Sequence, residues 1–95
     1  MTTQEQPPLS FAGFVISLAA NAAVHFGDMR NPDTGEFHEA DLVAAHQMIE
    51  LISLLREKTK GNLTPDEAKL VDDLLYELRM RYVQAQQGER RIIQP

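Results

Sequence analysis

The sequence predicts an all-α domain: one short apolar helix packed on a long antiparallel helical hairpin and completed by dimerisation. Three observations predict it. Ser10 to Gly27 (SFAGFVISLAANAAVHFG) carries no formal charge in a chain where 24% of residues are charged. Two later segments repeat apolar residues at steps of three and four, the helical period. Between them lies a tight turn that leaves two neighbouring helices no course but antiparallel.

Residues 1–9 (MTTQEQPPL) are polar and proline-bearing, with no apolar period, and read as a flexible leader. Ser10 is placed to cap a helix starting at Phe11, and Gly27 to end it in the left-handed conformation. A helix of about 16 residues spans roughly 24 Å, whereas crossing ~30 Å of hydrocarbon takes about 20 apolar residues. A buried core helix is therefore expected, and a membrane is not. It is apolar around most of its circumference, more than one hairpin can cover. Phe14, Ala19 and Ala23 are the expected self-association residues, the alanines allowing a second copy of the helix to approach closely.

Asp28 to His38 (DMRNPDTGEFH) is dense in turn signals and reads as a mobile loop. Met29 and Phe37 are its apolar residues. They are expected to fold back onto the bundle, with partner binding as their other use. A second helix is expected from Glu39 or Ala40 to Lys60, with Leu42, Ala45, Ile49, Ile52 and Leu55 inward and Gly61 just past its end. Thr64-Pro65-Asp66-Glu67 is a capping box with proline at the first helical position. The third helix carries Leu70, Val71, Leu74, Leu75, Leu78 and Tyr82 on one face and is expected to stop before Gly88. The domain thus spans residues 10–88, and 89–95 form a flexible tail.

The chain has no cysteine, which excludes disulfide and thiol chemistry and fits a cytoplasmic location. Its net charge of −5 disfavours general nucleic-acid binding. The charge is uneven, however: residues 1–78 hold 13 acids against 5 Lys and Arg, whereas the end holds Arg79, Arg81, Arg90 and Arg91 against Glu89. His25, His38 and His46 lack the spacing of a metal-binding helix. Asp66-Glu67 belongs to the cap, and Asp72-Asp73 to a wet helical face. With no nucleophile elbow and no phosphate loop, no catalytic residues, metal or cofactor are expected. The chain reads as a non-enzyme.

Arg79, Arg81 and Tyr82 are the residue types that anchor protein interfaces, and they lead the protein-binding candidates. Against this, both arginines could pair with Glu77 and Glu50, or with C-terminal carbonyls, and merely solvate the bundle. The contrasting function is a nucleic-acid or membrane-surface binder using Arg79, Arg81, Arg90 and Arg91.

Residues 9–84, above all EKTKGNLTPDE together with LLYELRMRYV, resemble a bacterial family of short helical proteins known only as a domain of unknown function. The resemblance implies a small cytoplasmic helical protein and carries over no catalytic residues. It also implies an adaptor role, since such proteins have been associated with cell-polarity complexes that act on a Ras-like GTPase. The expected function is accordingly a small non-catalytic adaptor that binds another protein.

Overall fold

A computed structural model describes the backbone of residues 9–93 and side chains through Gly88; of the leader expected over 1–9, residues 1–8 lie outside the described residues. Helix α1 runs Phe11–Phe26, α2 Leu42–Lys58 and α3 Pro65–Ile93, with no strand among the described residues. The short helix on an antiparallel helical hairpin is as expected. α1 lies against both arms of the α2–α3 hairpin, and the molecule is 16 Å deep along its thinnest direction, the depth of one helix on another.

Each helix begins for a local reason. The Ser10 hydroxyl accepts from the Gly13 N–H at 3.0 Å, and the Asp41 carboxylate from the Ala44 N–H at 3.1 Å. The capping box of α3 is reciprocal: the Glu67 N–H donates to Thr64 Oγ1 at 3.1 Å, while the Thr64 N–H donates to Glu67 Oε1 at 2.9 Å.

Three boundaries differ from expectation. α2 starts at Leu42, because Asp41 supplies the side-chain acceptor that Glu39 and Ala40 do not. It ends at Lys58, where the Thr59 hydroxyl turns back to donate to the Leu55 carbonyl at 2.7 Å. α3 does not stop before Gly88 and continues to Ile93. Glycine inside a helix costs only about 1 kcal/mol relative to alanine. Unlike Gly27, Gly35 and Gly61, Gly88 does not take a positive φ, so the chain is never turned out of the helix there.

The core is small. Val15, Leu18, Ala22 and Phe26 of α1 meet Ala45, Ile49 and Ile52 of α2 and Val71 and Leu75 of α3. α1 is nevertheless not buried all round, since Phe14 and Ile16 stay 50% and 51% exposed. Ala19 and Ala23, the small residues expected to meet a second copy, are half-buried.

The loop from Gly27 to Asp41 is not a slack connection. The Asp41 N–H donates to the His25 carbonyl at 2.7 Å and closes it at its base. Inside, the Gly35 N–H donates to the Asn31 carbonyl, the Asn31 N–H to the Glu36 carbonyl, and Arg30 Nη1 to the Gly35 carbonyl at 3.0 Å. The apolar residues do not fold back. Met29 is 45% and Phe37 54% exposed, and Phe37 instead carries the Arg30 guanidinium 4.8 Å from its ring centre.

Candidate docking groove between helices α2 and α3

The short turn after Gly61 sets the register of the hairpin, and the register sets which polar side chains meet across it. Arg56 and Asp72 lie eight residues on either side of Thr64 and pair face to face, Nε to Oδ1 at 2.8 Å and Nη2 to Oδ2 at 3.3 Å. That forked contact holds the Asp72 carboxyl below its ordinary value and the guanidinium above. Beside it a shallow groove of about 390 Å³ opens between the helices, floored by Leu75 and lined by Ser53, Arg56, Glu57, Lys60, Asp72 and Arg79.

Arg79 is used far less by the fold than Arg56 in the same groove. Its Nη2 donates to Ser53 Oγ at 3.3 Å, a long bond for this type, and it forms no ion pair among the described residues. A guanidinium has five N–H donors, so most of its capacity faces the groove and solvent. Lys60 shares the groove. With Arg56 matched by Asp72, these two cations face one acid, Glu57, in a chain of net charge −5.

Arg81, two residues on, has a different fate. The αL turn at Gly27 (φ 85°) carries paired capping bonds, from the Gly27 N–H to the Val24 carbonyl and from the Asp28 N–H to the Ala23 carbonyl. The chain leaving this turn brings the Asp28 carboxylate to Arg81. Nε and Nη2 each donate to a different oxygen at 2.7 Å, and the guanidinium lies 5.1 Å from the Phe26 ring centre. These bonds lower the Asp28 pKa against the opposing effect of partial burial. Arg81 thus ties α3 to the start of the loop, beside a cleft of about 290 Å³ whose walls include Phe26, Leu42 and Ala85.

The expected alternative partners of these arginines, Glu77 and Glu50, are not the ones found; Ser53 and Asp28 are. Tyr82 is half-buried against the core with its ring 5.1 Å from that of His46, which leaves little of it to anchor a partner. Of the protein-binding candidates, then, Arg79 lies in the groove, Arg81 and Tyr82 serve the fold, and Met29 and Phe37 stand apart on the loop. Ser53, Arg56 and Lys60 escaped the sequence reading. The hairpin register, countable from the turn, was the signal for Arg56 opposite Asp72.

His25 and His38 come together edge to face at 6.2 Å, and His38 Nε2 is 3.0 Å from Asn31 Nδ2. Among the described residues no three His, Asp or Glu side chains gather as metal ligands, and no helix is long and apolar enough to cross a membrane.

A family model described as "Domain of unknown function (DUF1844)" matches residues 8–84, well over half of the chain. The chain belongs to this family. No curated protein and no solved structure matches it. The matched span contains all three helix starts, the Asp28–Arg81 pair and the whole groove, and stops short of the last turns of α3.

Proposed function

We propose that this protein is a small non-catalytic cytoplasmic adaptor that binds another protein, with the α2–α3 groove as its docking surface. The observation that carries the reading is Arg79, whose guanidinium projects into an open groove beside Lys60 with one long bond to its own chain. Arginine at the edge of a partly apolar floor is a recurrent anchor of protein interfaces. The surplus of positive charge there suits a partner that presents carboxylates, and such complementarity acts mainly on encounter rate and specificity. The family resemblance suggests the setting, a signalling or cell-polarity complex regulating a small Ras-like GTPase.

The test is capture of partners from nuclease-treated lysate by the unmodified protein and by a variant carrying Lys60→Glu with Arg79→Glu. One stoichiometric protein partner, lost in the variant while its circular dichroism is unchanged, supports the proposal. A partner retained by the variant removes the groove from consideration. Binding that vanishes with nuclease, or that falls steeply with salt on nucleic acid or anionic vesicles, overturns the adaptor reading in favour of an anionic polymer or surface.

A further inference from the structure

Asn31 is the hub of the loop between α1 and α2, and every hydrogen-bonding group it has is engaged. Its N–H donates to the Glu36 carbonyl at 2.8 Å, and its carbonyl accepts from the Gly35 N–H at 2.7 Å. In the side chain, Oδ1 accepts from the Asp33 N–H at 2.7 Å, and Nδ2 lies 3.0 Å from His38 Nε2. These contacts fix the state of the imidazole. A backbone N–H needs an acceptor, so the amide oxygen faces Asp33 and the NH2 faces His38. An NH2 only donates. His38 Nε2 therefore accepts with its lone pair, and the ring is neutral with its proton on Nδ1.

A second proton on the ring sets a donor on each side of that contact. Turning the amide over restores it only by setting the NH2 against the Asp33 N–H. Either way, one of the two side-chain bonds of Asn31 is lost. Among the described residues Phe37 to Ala40 have no other hydrogen bond, and the next tie along the chain is that of the Asp41 N–H to the His25 carbonyl. This stretch carries Phe37, exposed and under the Arg30 guanidinium.

The charged groups around His38 are otherwise occupied or on the loop surface. From α1 it faces His25, edge to face, and neither ring forms an ion pair among the described residues. Arg30 lies on Phe37 and the Gly35 carbonyl, and Arg81 of α3 is held by Asp28. At the start of α2 the Asp41 carboxylate caps the Ala44 N–H, and His46 pairs with Glu50. Asp33, Glu36 and Glu39 stand exposed on the loop itself.

We infer that Asn31 and His38 form a proton-sensitive clasp, closed while the imidazole is neutral and opened by its protonation, which releases Phe37 to Ala40. Imidazoles change charge between about pH 5 and 8. The loop is held at the upper end of that range and loosened as the pH falls through it. The inference is independent of the α2–α3 groove, and its test uses the protein alone.

Nitrogen-15 NMR of the full chain reads both the clasp and its release. At pH 8 His38 should carry its proton on Nδ1, with Nε2 bare. Between pH 8 and pH 5.5 the Asn31 side-chain NH2 and Asp33 N–H signals should move together, and the backbone order parameters of Phe37 to Ala40 should fall from about 0.85 toward 0.6. His38→Gln, at an exposed position, keeps an acceptor for Asn31 at every pH and should abolish both responses without loss of fold; His25→Gln should retain them. A proton on Nε2 at pH 8 would overturn the proposal. So would order parameters for Phe37 to Ala40 that are the same at both pH values, responses that survive in His38→Gln, or their loss in His25→Gln.

Discussion

Two arginines two residues apart on one helix do opposite things in this molecule. Arg81 has both of its forked donors on Asp28 at 2.7 Å and its flat face toward Phe26, and it fastens α3 to the end of α1. Arg79 reaches Ser53 at 3.3 Å and otherwise faces an open groove. Residue type is the same, but a step of two turns the side chain about 200° around the helix axis, so Arg79 faces α2 and Arg81 the end of α1. What each meets on its own side decides its use, and for Arg81 that depends on where a left-handed glycine 50-odd residues earlier sends an aspartate. An arginine whose donors are already used holds the fold together; one whose donors are open has something to offer a partner.

The contrast can be broken from either side, and the largest effect should come from Arg81→Glu. It removes the forked pair and puts a carboxylate beside Asp28. Hydrogen bonds to charged groups are worth about 1.5–3 kcal/mol, and with both side chains a third or more exposed the loss should fall near ~2 kcal/mol. In a domain of this size that is a fall of roughly 10 °C in Tm by thermal denaturation. A change of a degree or two would mean that the pair is only surface decoration.

Next comes Gly27→Ala, which leaves every charge in place. At φ 85° an added Cβ is strained, and it would sit 3.2 Å from the His38 carbonyl oxygen. A cost of about 1–2 kcal/mol is expected from the left-handed conformation alone. Because the same turn delivers Asp28, Gly27→Ala combined with Arg81→Glu should cost less than the sum of the two single changes. Strict additivity in urea denaturation would show that the glycine turn and the ion pair act separately.

A smaller effect should appear with pH. Asp28 has its pKa lowered in the folded protein, chiefly by the hydrogen bonds from Arg81. The stabilisation is therefore full above the ordinary aspartate value and is lost as pH falls through the lower folded value. The stability gap between the unmodified protein and Asp28→Asn should stay constant near neutrality and close only in that acid range. A gap that closed between pH 5 and 7 would show that the Asp28–Arg81 pair does not carry the difference.

The smallest effect on the fold should be that of Arg79→Glu, within about 0.5 kcal/mol, as for surface substitutions away from any buried feature. A loss as large as that of Arg81→Glu would erase the distinction between the two arginines and remove the main support for the docking groove.

Read by itself, the sequence determined what depends on neighbours in the chain. The uncharged run, the apolar steps, the Ser10 cap, the Thr64–Glu67 box and the left-handed Gly27 specify three helices and an antiparallel hairpin, because capping bonds and helical periodicity are local and strong. It located a helix end poorly where the local signal was ambiguous, since Gly88 can sit in a helix at small cost and Asp41 competes with two earlier residues as a cap. Only the tertiary structure decided which polar groups are used up. Asp28 meets Arg81 across 53 positions and Arg79 meets Ser53 across 26, and no periodicity reports such pairs, because they follow from how helices cross and loops turn. The same holds for Met29 and Phe37: their apolar character argued for burial, but the loop's own hydrogen bonds turn them outward. Tertiary packing likewise gives α1 one buried face and leaves Phe14 and Ile16 at the surface, since an α2–α3 hairpin can shelter only the side of a helix that lies against it.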